Sequence, residues 1–180
     1  MDVAGIALPT VAARSREISN DPLLVDALTG FGSRRALLDG LVASASEDAE
    51  PTLLVVFCLD GFDDYVSLFG SLAGRTLVVK LAARLADALG EGAVCFRPRQ
   101  DEFAALVATP VDRVAGILDA AVVALRERAA SVAVTASWGA AMLPDEATDP
   151  IAALQLADSR LASNAPRRRR RNRRANPQRR

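Results

Sequence analysis

Cys95-Phe96-Arg97-Pro98-Arg99-Gln100-Asp101-Glu102-Phe103 decides how this chain is read, because it sets two adjacent carboxylates between two short apolar runs. Ala93-Val94-Cys95-Phe96 stands before the acids and Phe103-Ala104-Ala105-Leu106-Val107-Ala108 begins after them. The pattern predicts strand, tight turn, strand. Acids at the tip of such a hairpin either serve a site or simply hydrate a turn.

Outward from the hairpin, Leu53-Leu54-Val55-Val56-Phe57-Cys58-Leu59-Asp60 predicts a buried strand that ends in an acid. Asp60 there reads as a site residue or as the N-cap of the following helix. A short helix is expected around Asp63–Phe69. A longer one is expected over Leu72–Leu89, where Leu77, Leu81, Leu85 and Leu89 repeat every four residues as a core stripe. Beyond the hairpin, a helix is expected from Pro110 to about Ala129, a strand from Val132 to Leu143 and a helix from Pro150 to Asn164. Upstream, Asp26-Ala27-Leu28-Thr29-Gly30-Phe31-Gly32-Ser33 reads as a glycine-bearing turn that leads into a helix ending near Ala43. Helices interleaved with strands in this order imply an α/β (α+β) fold with a central mixed sheet.

Composition narrows the function. The 180 residues are 51% apolar, enough for one domain with a substantial core, and no apolar run is long enough to span a membrane. The start lacks the basic region of a signal peptide, so a cytoplasmic location is expected. There is no histidine, which excludes imidazole chemistry and leaves carboxylates to carry any catalysis. Cys58 and Cys95 lie in apolar runs and read as reduced core thiols, with a meeting across neighbouring strands as the alternative. The formal net charge of zero hides a division. Nine of the 22 basic residues fall within 167–180, which contains no acid, leaving 13 basic and 22 acidic residues elsewhere. Three segments follow: a lead-in over 1–22, a folded domain over 23–165 and an arginine-rich tail over 166–180, expected to be disordered. The block Arg167, Arg168, Arg169, Arg170 and Arg171 suits nucleic acid or an anionic membrane, contact with the acidic body, or no partner.

The hairpin resembles the signature of the GGDEF family, the diguanylate cyclase-like domains of bacterial signal transduction. The resemblance extends to Asp26-Ala27-Leu28-Thr29-Gly30 with Arg34-Arg35, Asp60-Gly61-Phe62, Gly70 and Gly74, Ser137-Trp138-Gly139, and Ala157-Asp158 with Leu161. It implies a palm-like domain similar to that of nucleotide cyclases and polymerases. Two such domains each present one GTP, and cyclic di-GMP forms by two-metal phosphoryl transfer.

Carried over position by position, the resemblance implies a degenerate site. Asp101 would be a metal ligand and Glu102 the acid close to the reacting hydroxyl, with Asp60 a further candidate for metal. Arg99 and Gln100 stand where the family has two glycines, which allow positive φ and close approach of a nucleotide. Cys58 replaces a metal-binding acid, although Mg²⁺ prefers oxygen. The guanine-reading pair becomes Val66 and Arg75, neither able to accept a hydrogen bond from the base. Asp63 replaces a phosphate-contacting lysine, and a second lysine position falls on Ala165. Gly90-Glu91-Gly92-Ala93 lacks the arginine and aspartate of the family's inhibitory product site.

Three readings follow. The first is a degenerate GGDEF domain that makes no cyclic di-GMP. It would act as a regulatory, nucleotide-sensing or protein-interaction module, weakly holding GTP or cyclic di-GMP, as a homodimer or paired with another GGDEF protein. The second is an active diguanylate cyclase using Mg²⁺. The third is an anchor that works through its arginine tail.

Overall fold

The protein is described by a computed structural model covering residues 21–45, 49–130 and 132–164. The tail and residues 1–20 of the lead-in lie outside these described residues. Five helices and five strands follow in order: α1 (Arg34–Ser44), β1 (Thr52–Asp60), α2 (Phe62–Phe69), α3 (Ser71–Leu89), β2 (Ala93–Arg99) and β3 (Glu102–Ala108). A 3₁₀ turn (Val111–Arg113) then leads into α4 (Val114–Ala124), β4 (Glu127–Ala129), β5 (Val132–Leu143) and α5 (Pro150–Asn164).

The strands form one sheet in the order β2-β3-β1-β5-β4. All four ladders are antiparallel, which corrects the expected mixed sheet. The chain leaves the end of β1 through α2, returns along α3, and enters β2 at the far edge, so β3 can come back beside β1 through a hairpin. Among the described residues, a parallel contact survives only as the single bridge of Gly32 to Phe96.

β1 is central, and eight of its nine residues are buried. Because side chains alternate across a strand, it feeds two cores. Leu53, Val55, Phe57 and Leu59 face α3 and α4 together with Leu77, Leu81 and Leu85, which confirms the leucine stripe as core. Leu54, Val56 and Cys58 face α1 and α5 together with Leu37, Leu41, Ala157 and Leu161. Helix α5 lies very close to β5 at Gly139, where a Cβ would collide with the Ala157 carbonyl and the Leu161 backbone. Cys58 and Cys95 do not meet: β3 separates their strands, they pack with opposite cores, and neither forms a disulfide.

The helix expected to reach Ala129 ends at Ala124. Glu127–Ala129 instead pairs with Val132–Val134 of β5, and Glu127 holds Lys80 and Arg84 of α3 at 3.0 and 2.9 Å. Helix propensity in this alanine- and arginine-rich stretch yields to tertiary pairing. At the other end, Asp26 closes its turn by accepting hydrogen bonds from the Thr29 N–H and hydroxyl. Ser33 caps α1, accepting from the Ala36 N–H.

Candidate active site at the β2–β3 hairpin

The hairpin turns through Gln100 and Asp101. Two-residue hairpins favour turns with positive φ, the reason glycine suits them. Ala130 is the sole non-glycine with positive φ among the described residues, so Arg99 and Gln100 make this turn without it. The ladder instead shifts register between Phe96 and Arg99, spanning Arg97 and Pro98. A bulge at the strand end tolerates proline, which has no N–H to donate. The turn is therefore made without the positive φ that glycine permits. What Arg99 and Gln100 change is the side chains at the turn.

Register places the acids. Cys58 lies opposite Glu102 on one side and Ser137 on the other, so the three share one sheet face. Asp60, two residues on from Cys58, lies on that face as well, and its carboxylate accepts a hydrogen bond from the Ser137 hydroxyl. Helix α2 takes no side-chain cap, since Gly61 occupies the N-cap with φ +81°. The N-cap reading of Asp60 is thus overturned. The Asp101 carbonyl accepts from the Leu59 N–H at 2.9 Å, and its carboxylate lies 4.0 Å from the Cys58 sulfur.

Glu102 is buried, with its side chain 7% exposed, so it is no solvated tip. The Arg99 guanidinium reaches over it, Nη1 to Oε1 at 3.3 Å, from a side chain that is 55% exposed. Arg97, which the sequence reading did not single out, braces the turn from behind. It donates to the Gln100 carbonyl at 2.9 Å and pairs with the Asp26 carboxylate at 3.1 Å. Burial raises the Asp26 pKa, but the Thr29 hydrogen bond and the Arg97 charge outweigh it and leave the group below its usual range.

Cys58, Asp60, Asp101, Glu102 and Arg99 are therefore brought together at one end of one sheet face. Asp63, Val66 and Arg75 sit on α2 and α3, and Ala165 lies outside the described residues. Asp63 and Arg75 are exposed. Val66 packs into the opposite core, its methyl 2.6 Å from where a Cβ on Gly74 would lie. A valine here is absorbed as packing. Ser137 was legible as part of a motif but not as a partner of Asp60. The one signal for it was the even spacing that puts it on the inward face of β5.

These features accord with a family assignment. The profile described as "Diguanylate cyclase, GGDEF domain" matches residues 23–172. The chain belongs to the GGDEF family. Similar solved structures include diguanylate cyclase SiaD of Pseudomonas aeruginosa in complex with its activator SiaC (23% identity, TM-score 0.70, 83% of this chain). This chain spans 60% of that SiaD chain. A sensory box/GGDEF family protein from Caulobacter crescentus aligns at 26% identity and TM-score 0.68 over 78% of this chain and 97% of that one. The GGDEF domain of DgcB from Caulobacter crescentus in complex with c-di-GMP aligns at 22% and 0.69, over 79% and 90%. A search of curated proteins finds no match. Among the described residues, no helix of this GGDEF domain is long and apolar enough to cross a membrane.

The family implies Mg²⁺ at the end of β1. The donors present do not suit it. A buried thiol stands beside Asp101, Glu102 is covered by Arg99, and among the described residues no three His, Cys, Asp or Glu side chains converge as a metal site. No catalytic step through a metal is derived from this arrangement.

Proposed function

We propose that this GGDEF domain makes no cyclic di-GMP and serves as a regulatory module in cyclic di-GMP signalling, sensing a nucleotide or engaging another protein. The observation that carries this reading is the Arg99–Glu102 pair above a strand end where Cys58 takes the place of a metal-binding acid. Phosphoryl transfer depends on charge stabilisation by metal and preorganised dipoles. A thiol beside Asp101 and a cation on Glu102 supply neither a hard-oxygen seat nor a free acid. Base recognition is weakened as well, because Val66 packs against Gly74 and exposes no acceptor to guanine.

The α2–α3 elbow favours an interaction role. Around Gly70, Leu68, Phe69 and Leu72 are 56%, 40% and 77% exposed, and the Tyr65 ring packs tilted against Phe69 with centroids 4.8 Å apart. Contiguous apolar exposure of this kind suits contact with another protein, a second GGDEF domain included.

An active cyclase is the competing reading. It is favoured by the gathering of Asp60, Asp101 and Glu102 at one strand end. Calorimetric titration with GTP and with cyclic di-GMP, with and without Mg²⁺, followed by a product assay, separates the two. Magnesium-dependent GTP binding with cyclic di-GMP formation overturns the regulatory reading. Binding without turnover supports a sensor. No binding supports a protein-interaction module.

A further inference from the structure

A second concavity lies away from the hairpin, between α4, β5 and α5. It has two adjoining lobes of about 430 and 590 Å³. Trp138, Leu118 and Met142 line both, giving an apolar floor. Asp119 and Asp145 border one lobe, and both are exposed. Glu146 borders both lobes and is already paired with Arg160. Asn164, the last residue of α5, lines the groove as well and donates to the Trp138 carbonyl at 3.1 Å.

An apolar floor holding an indole, with carboxylates at the rim, suits a guanidinium. Arginine stacks on an indole face through cation–π attraction while its charge meets acids. The chain carries such groups close by. Arg167 follows Asn164 by three residues and Arg171 by seven. An extended chain spans roughly 10 Å over three residues and about 25 Å over seven, and it starts at Asn164, which itself lines one lobe. Charge points the same way, because nine of the 22 basic residues fall within 167–180, while the rest of the chain holds 13 basic and 22 acidic residues.

We propose that this groove is the docking seat of the chain's own arginine block, Arg167–Arg171. Docking makes the block unavailable to external anions, so the groove and any nucleic acid or lipid surface compete for the same charges. The attraction between rim and block is electrostatic and weakens as salt shortens the screening length.

Trp138 is the sole tryptophan in the chain and reports the groove directly. The experiment measures acrylamide quenching of its fluorescence in the full chain. The comparison is with a full-length variant in which Arg167, Arg168, Arg169, Arg170 and Arg171 are serine, and with D119N/D145N. Circular dichroism confirms that each remains folded. The expected result is a quenching constant about twofold higher in both variants, approached by the unaltered chain in molar salt, where screening acts within about 3 Å. Adding a synthetic peptide of residues 165–180 to the serine variant restores protection. Equal quenching in all three proteins, or no effect of the peptide, overturns the proposal. Protection lost on dilution assigns the groove to a second copy's block and overturns the intramolecular form.

Discussion

Two of the arginine–carboxylate pairs, Arg160–Glu146 and Arg99–Glu102, occupy opposite situations. Arg160 grips Glu146 with two nitrogens, at 2.8 and 2.7 Å, and also donates to the Ala140 carbonyl, fastening the loop after β5 onto α5. Arg99 meets Glu102 with one nitrogen at 3.3 Å, and there the carboxylate is buried while the cation is half in water. The first pair joins two elements at an interface already closed by Gly139. The second lies within one hairpin and joins nothing that the ladder does not already hold. The β5–α5 region is therefore built for cohesion, and the hairpin end holds Arg99 and Gln100 at its turn without positive φ in the backbone.

The sharpest way to break this contrast is at Gly139. A valine there drives its side chain into the α5 backbone, which cannot retreat while Ala157 and Leu161 remain buried. Overpacking against side chains costs about 1–3 kcal/mol, and a clash with backbone lies at or above that range. G139V is expected to lose at least about 3 kcal/mol in urea denaturation. A loss under about 1 kcal/mol would show that α5 is not clamped at this point.

At the hairpin end, Cys58→Asp is expected to produce the next largest effect. A carboxylate placed at a 5%-exposed position, beside Asp101, is penalised by desolvation and by like charge. The expected loss is about 2 kcal/mol without metal, with Mg²⁺ raising the melting temperature of C58D and leaving the unaltered protein unchanged. A Mg²⁺ response in the unaltered protein would contradict the argument that the thiol removes the metal seat.

Much of this contrast is legible in sequence. Strand β1 announces itself by a continuous apolar run, α3 by its leucine stripe and the hairpin by acids between apolar runs. The signals fail where long-range partners decide. Glu127–Ala129 has helix-forming composition, and only pairing with β5 and the ion pairs to α3 make it a strand. The turn at Arg99 and Gln100 lacks the glycines that make positive φ cheap, and a local rule cannot foresee the register shift at Arg97 and Pro98 beside it. Arg97 itself carries no local signal, since its partner Asp26 lies 71 residues upstream.

The β5–α5 pair can be tested by pH. The Arg160 hydrogen bonds hold the Glu146 carboxyl down at about 2, against burial that would raise it, and the Met142 N–H adds a further bond. A folded pKa below the unfolded one means that the stabilisation is fully present above the unfolded value of 4.5. It is lost as pH falls from there toward 2. Both side chains are more than a third exposed, so screening limits the pair to about 1 kcal/mol. E146Q is expected to be less stable than the unaltered protein by that amount at pH 7, with the gap closing toward pH 2 in paired urea titrations. A gap that persists at low pH would show that packing of the loop matters rather than charge.

Arg99→Ala is expected to change stability least, by under about 0.5 kcal/mol, because a single contact from a half-exposed guanidinium contributes little. Its effect belongs to the site. With the guanidinium gone, the space above Glu102 opens while Cys58 remains, so R99A should still form no cyclic di-GMP in a product assay. The double variant R99A/C58D removes both obstacles, and its response to Mg²⁺ should exceed that of C58D alone. Equal responses would mean that Arg99 covers Glu102 without closing the approach to the strand end. The inactivity proposed for this site would then rest on the thiol and on Val66 alone. Non-additivity between the two substitutions is therefore the quantity to measure, since residues that share one small site couple and distant ones do not.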